Sequence, residues 1–247
     1  MKSLFRYTMP PGPCAYLPDA EASLEYEAVA ELSRGEYLRY MLEGWRRFGL
    51  MLFRPACAAC TSCRALRVRV DDFAPTRSQR RNRRLNEGEV ELRIGVPSVT
   101  REKLDLYDRY HHFQEGAKGW RGHAPKDADS YADSFVVQPF PVEEWCFHLG
   151  GRLVGVGYVD SIPAPEASAP GQEGLSAIYF FWEPGAEKRG LGTWNVQAMI
   201  EEARRRALPY VYLGYYVEGC ASMEYKPLFV PNEIRGDDGA WRSFRKA

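Results

Sequence analysis

Cys57, Cys60 and Cys63 stand with two residues between neighbours. That spacing suits chelation of a metal by thiolates better than a disulfide framework. The competing reading of the same residues is a set of free buried thiols. Charge follows directly: from Arg64 to Arg84 the chain carries Arg64, Arg67, Arg69, Arg77, Arg80, Arg81, Arg83 and Arg84 against Asp71 and Asp72. The planar guanidinium fork matches carboxylates and phosphates alike, so such a run points to an acidic peptide end, to a nucleic acid backbone, or to a solvated face.

The elements that must position these groups are legible in part. Ser33 caps a helix with Glu36 closing a capping box, and Tyr37, Leu38, Met41, Leu42, Trp45 and Phe48 follow at helical spacing until Gly49 ends it. Residues 50–54 read as a short strand. Leu66, Val68 and Val70 alternate with Arg67 and Arg69, which predicts a half-buried strand with its arginines outward. Thr100 caps a second helix over 101–113, with Leu104, Tyr107 and Tyr110 on one side, and 114–134 is polar and weakly patterned. His111 and His112 read as solvated residues of that helix surface.

From 143 the character changes. Residues 144–149 and 152–160 form a hairpin about Gly150 and Gly151, 175–182 a further strand, 190–207 a helix with Val196, Met199, Ile200 and Ala203 on one face, and 210–217 a last strand. Hairpin, strand, glycine turn, helix, strand is the order of an acetyltransferase-like fold. The expectation is an α+β or α/β protein with an acetyltransferase-like catalytic region over 100–247 and a smaller region over 1–99 that holds the cysteines and arginines. The turn Glu187-Lys188-Arg189-Gly190-Leu191-Gly192 approaches the pattern that cradles a coenzyme A pyrophosphate at a helix N-terminus. Glu187 would repel a pyrophosphate, which predicts the same scaffold serving a different acyl donor.

A chain of 247 residues that is 45% apolar buries a substantial core. No apolar run approaches the roughly 20 residues of a membrane span, and the first residues lack the apolar stretch of a secretory signal. A cytoplasmic protein without a membrane partner is expected.

Several stretches carry a family resemblance, in order: Cys14-Ala15-Tyr16-Leu17-Pro18, Arg54-Pro55-Ala56-Cys57-Ala58-Ala59-Cys60-Thr61-Ser62-Cys63, Phe73-Ala74-Pro75-Thr76-Arg77-Ser78-Gln79-Arg80-Arg81, Leu175-Ser176-Ala177-Ile178-Tyr179, Trp182-Glu183-Pro184, Tyr212-Leu213-Gly214-Tyr215-Tyr216, Met223-Glu224-Tyr225-Lys226 and Pro231-Asn232-Glu233. Together they resemble the bacterial aspartate/glutamate leucyltransferases, relatives of the eukaryotic arginyl-tRNA–protein transferases. The resemblance implies aminoacyl-tRNA as donor, Leu-tRNA ahead of Arg-tRNA, acceptor proteins with N-terminal Asp or Glu, and N-end rule degradation of the product. It also implies a four-thiolate site in which Cys14 joins Cys57, Cys60 and Cys63 around zinc or an iron–sulfur cluster. Where relatives carry an Arg-His pair, this chain has Gln114 and Glu115.

An aminoacyl ester is already activated, so an amine attacks it without a covalent enzyme intermediate and without a cofactor. The α-amine needs only a modest basic push, since its ordinary pKa is about 7.7–8.0. Asp160 and Glu233 are the candidate bases, and Tyr179, Tyr212 and Lys226 are candidates to orient the ester or hold its oxyanion. Arg77, Arg80 and Arg81 are expected to read the acceptor's carboxylate or grip tRNA phosphates, and Ser176 and Tyr215 to bind substrate. Two other functions fit parts of the sequence: a coenzyme A-dependent N-acetyltransferase, and a non-catalytic zinc-containing RNA-binding module.

Overall fold

A computed structural model describes residues 1–120 and 124–245. In chain order the main elements are β1 (Lys2–Thr8), β2 (Leu24–Glu31), α1 (Arg34–Leu42), β3 (Arg46–Phe48), β4 (Met51–Pro55), β5 (Arg64–Arg69), α2 (Arg77–Asn86), β6 (Val90–Gly95), α3 (Arg101–Lys118) and α4 (Ala128–Phe135). They continue with β7 (Glu143–Leu149), β8 (Arg152–Ile162), β9 (Gly174–Trp182), α5 (Leu191–Arg205), β10 (Tyr210–Tyr216), β11 (Asn232–Arg235) and β12 (Trp241–Phe244). The protein is thus a mixed α/β chain.

Eight strands make one sheet in the order β12-β11-β5-β10-β9-β8-β7-β6, and a second sheet runs β1-β2-β4-β3. The large sheet takes β5 and β6 from before residue 99, with β5 between β10 and β11. A division at 99/100 therefore cuts through one hydrogen-bonded sheet rather than between two bodies. Val196, Met199, Ile200 and Ala203 of α5 pack on one face with Leu66 and Val68, as their spacing predicts. Residues of α1, α3 and α4, among them Leu38, Tyr107 and Phe135, cover the other face with Val156 and Phe181.

Both sides of the Ser33 capping box form, but α1 stops at Leu42, short of the expected Gly49. Gly44 adopts a φ of +94°, a conformation that breaks the helix, and Arg46, Arg47 and Phe48 become an antiparallel strand against Met51, Leu52 and Phe53. The stretch 114–134 is more ordered than its polarity suggested. Helix α3 runs on to Lys118, and Asp127 caps α4 by accepting from the Ser130 N–H.

Candidate active site

Among the described residues the one parallel pairing in the large sheet joins β9 to β10, through Gly174 and Tyr210, Leu175 and Val211, Ser176 and Tyr212. Beyond these pairs β9 stays with β8 as far as Trp182, and β10 stays with β5 as far as Tyr216. Irregularities between Tyr158 and Val159 on one side, and between Tyr212 and Tyr215 on the other, bend the two strands apart. The result is a fork in the middle of the sheet. Gly214, at a φ of +74°, lies in the second irregularity.

One arm of the fork carries Tyr179. Its hydroxyl meets His111 Nε2 at 2.7 Å, and His111 Nδ1 meets the Tyr107 carbonyl at 2.8 Å. A carbonyl only accepts, so Nδ1 carries a proton, and in the neutral tautomer that this allows Nε2 accepts from Tyr179. Burial raises the Tyr179 pKa, which keeps the phenol protonated. The pairing corrects the reading of the two histidines: His111 is buried inside the helix packing, whereas His112 is 88% exposed. Adjacent histidines look alike in sequence. What separates them is the helical step from Tyr107 and Tyr110, which sets His111 on the buried side.

The other arm carries Gly214 and Tyr215, with Lys226 behind them. Lys226 is half-buried, and its ammonium donates to the Tyr215 carbonyl at 2.5 Å. Burial and then the Arg46 guanidinium lower its pKa from 10.5 to about 8. Strand β3 spans from arm to arm. The Phe48 ring stands edge-on to Tyr179 with centroids 6.0 Å apart, and the Arg46 guanidinium lies over the Tyr215 ring at 5.3 Å.

Other expected catalytic residues sit elsewhere. Asp160 is fully buried, and Arg47 Nη2 donates to its Oδ1 at 2.6 Å. Burial raises its carboxyl above the usual range against the pull of Arg47. Its carboxylate is committed to Arg47 inside a fully buried pair, which makes it a structural ion-pair partner and not a base. Tyr212 is buried too: its hydroxyl donates to the Gln172 carbonyl at 2.7 Å and accepts from Arg67 at 3.3 Å. Glu233 is held by Arg67 at 2.7 Å. Arg67 is itself buried among the rings of Tyr210 and Trp241, contrary to the expected outward arginines of β5. Ser176 is buried beside Tyr37 where the parallel pairing ends. Tyr215 spends its hydroxyl on the Gly44 carbonyl at 2.7 Å.

The chain matches the family model described as arginine-tRNA-protein transferase in two parts, the N terminus over residues 12–81 and the C terminus over 102–236. An aspartate/glutamate leucyltransferase of Marinobacter nauticus is 35% identical over 245 residues, spanning 98% of this chain and 97% of the relative. The chain belongs to the arginine-tRNA-protein transferase family. An aspartate/glutamate leucyltransferase of Campylobacter jejuni is 34% identical over 226 residues, 90% of this chain and 88% of that one. Among solved structures, L-PGS from Bacillus licheniformis aligns with a TM-score of 0.45 at 14% identity, covering 75% of this chain and 51% of its own. The protein is accordingly an aminoacyltransferase.

In this transferase α2 lies on the α5 side of the sheet, opposite His111. Asn82 Nδ2 donates to the carbonyls of Arg189 and Gly190 at 2.8 and 3.2 Å, and Asn86 Nδ2 to that of Arg189 at 2.9 Å. A Cβ on Gly190 would stand 2.8 Å from Asn82 Nδ2. The glycine turn ahead of α5 is therefore occupied by helix α2 of this chain. Arg77, Arg80 and Arg81 are exposed on α2, and no carboxylate pairs with them among the described residues. Arg83 differs, being tied to Glu87 and Glu201.

The transferase's cysteines gather where the N-terminal segment meets the 57–63 loop. Burial, and then the neighbouring Cys14, Cys57 and Cys60, push the Cys63 thiol up to about 12. The N–H groups of Tyr16 and Ser23 donate to the sulfurs of Cys14 and Cys57, each at 3.4 Å. Cys14, Cys57, Cys60 and Cys63 would supply soft thiolate ligands if drawn together, the chemistry that a soft metal needs. Among the described residues, however, no three ligating groups already stand close enough to hold an ion. No helix of the described residues is long and apolar enough to cross a membrane.

Proposed function

We propose that this aminoacyltransferase moves leucine from Leu-tRNA onto the α-amine of proteins that begin with Asp or Glu, marking them for degradation in the cytoplasm. The observation that carries the reading is the match over 98% of the chain to a relative bearing that name. An acetyltransferase-like arrangement supports it, with a β-sheet fork at the reacting centre and a helix after the glycine turn. Glu187 and the α2 clamp argue against a coenzyme A pyrophosphate at that turn.

The exposed arginines of α2 suit the phosphates of the donor tRNA. Their place on the face opposite His111 favours this over contact with the acceptor. The charged 3′ end then enters the fork from the α5 side and the acceptor from the α3 side. Tyr179 and His111 handle the proton. As the acceptor nitrogen bonds the ester carbonyl carbon, Tyr179 Oη takes a proton from nitrogen while its own passes to His111 Nε2, making an imidazolium. Collapse of the tetrahedral intermediate breaks the ester bond to the ribose oxygen, and the same relay run in reverse protonates that oxygen. His111 is neutral again at the end.

Cys14, Cys57, Cys60 and Cys63 take zinc or an iron–sulfur cluster on this reading. The metal would pin residues 14–16 to the 57–63 loop and has no part in the transfer. The deciding experiment supplies radiolabelled Leu-tRNA, Arg-tRNA or acetyl-CoA with peptides starting Asp, Glu or Ala. Label from Leu-tRNA in the Asp and Glu peptides alone is expected; label from acetyl-CoA and from neither tRNA would overturn the reading. Replacing Arg77, Arg80 and Arg81 with Gln should weaken Leu-tRNA for every acceptor alike and flatten the salt dependence.

A further inference from the structure

Among the described residues Arg46, Arg47 and Arg67 are buried, and two of these three arginines have an acid. Arg47 has Asp160 and Arg67 has Glu233. Arg46 is 5% exposed and has none among the described residues. Its Nη1 donates to the Trp45 carbonyl at 2.6 Å, while Nε and Nη2 are buried without a hydrogen-bond partner among the described residues. A guanidinium removed from water with two nitrogens idle is costly unless an anion arrives to meet them.

A second cation stands beside it. Lys226 Nζ and Arg46 Nε both lie within 4.0 Å of the point that a Cβ on Gly214 would occupy. Lys226 has only the Tyr215 carbonyl for a partner, and no carboxylate pairs with it among the described residues. Two like charges held together in a half-buried site repel, and one carboxylate between them relieves both. Gly214 has no side chain to fill the space they share.

The position fits a substrate group. Gly214 is on the β10 arm of the fork, and β3 links Arg46 to Phe48, whose ring touches Tyr179 on the β9 arm. Arg46 also belongs to the face of the sheet that carries His111, with Tyr37 and Tyr212 as neighbours.

We propose that Arg46 and Lys226 bind the side-chain carboxylate of the acceptor's first residue, so that this pair and not the arginines of α2 selects Asp and Glu. The inference rests on the reading of the acceptor given above. A carboxylate seated between the two cations leaves the α-amine of the same residue free to turn toward Tyr179 and the donor ester. An uncharged Asn or Gln at that position leaves both cations uncompensated and is rejected.

The test compares two peptides that differ only in their first residue, Asp or Asn, with labelled Leu-tRNA as donor. In Lys226→Met and Arg46→Met, kcat/KM for the Asp peptide should fall about 10- to 100-fold through acceptor KM. The value for the Asn peptide and the KM for Leu-tRNA should hold. Lys226→Glu should shift preference toward a peptide beginning with Lys. Should Arg46→Met fail to fold, Lys226→Met decides alone, since Lys226 is less buried than Arg46. Calorimetric titration of the Asp peptide into the same variants without tRNA gives a readout independent of turnover. An Asp-to-Asn ratio that stays at the wild-type value in Lys226→Met, or an equal fall for both peptides, overturns the proposal. Failure of the wild-type protein to label either peptide from any charged tRNA would instead remove the function on which it rests.

Discussion

Replacing Asp160 separates a structural role from a catalytic one. The Arg47–Asp160 pair is fully buried at 2.6 Å, Arg47 Nη1 also donates to the Gly49 carbonyl at 2.7 Å, and the guanidinium lies 4.8 Å from the centre of the Phe140 ring. Removing the carboxylate leaves the charge in place without its partner, which costs about 3–5 kcal/mol. In a chain of this length each kcal/mol moves Tm by about 2–4 °C, so Asp160→Ala should melt roughly 6–20 °C lower. The double variant Arg47→Met/Asp160→Leu removes both charges and should recover most of that loss, because Asp160 Oδ2 and Arg47 Nε have no partner among the described residues even in the native pair. Scanning calorimetry gives the midpoints, and single-turnover transfer from Leu-tRNA, measured well below them, gives the rate. A large fall in Tm is expected, with a rate reduced at most several-fold. Asp160→Asn melting within about 2 °C of wild type while its transfer rate drops more than about a hundredfold would refute it. Asp160 would then be the base after all.

Tyr179→Phe and His111→Ala should each lower the single-turnover rate by about 10²- to 10⁴-fold with peptide binding preserved, and together they should cost little more than either alone; additive losses would break the relay into independent contacts. The acidic preference should depend on pH. Lys226 is lowered from 10.5 to about 8, so it is charged below that value and neutral above it. Preference for Asp over Asn should therefore be full at neutral pH and decline as pH rises through about 8, the ratio cancelling titration of the α-amine. A flat ratio up to pH 9 or so would mean an ordinary lysine, or none, at the acceptor. Elemental analysis of protein purified anaerobically should find zinc or iron in near-stoichiometric amount, with the metal lost in Cys57→Ser and Cys60→Ser; neither metal in the native protein would leave the cysteines as free thiols.

Ser33 with Glu36, Thr100, the Gly150-Gly151 hairpin and the apolar face of α5 were all legible in the sequence, because caps, turns and helical periodicity act over a few residues. Family membership was legible for a related reason: the motifs sit in order along the chain whatever their spatial arrangement. The end of α1 was not. Trp45 and Phe48 continue the apolar spacing of a helix, yet β3 forms there because Leu52 and Phe53 pair with its backbone and Asp160 lies ready for Arg47, 113 residues away in sequence. Nor does sequence distinguish one arginine from another. Arg46, Arg47, Arg67 and Arg77 differ in whether tertiary packing buries them, and in whether it supplies an acid to those it buries. The same packing took Asp160 out of reach of substrate and brought His111 to Tyr179 across 68 residues. Burial sets the cost of a charge or an unmade hydrogen bond, and burial is a property of the folded chain. Residue types alone offered the groups able to do chemistry; the fork between β9 and β10 selected among them.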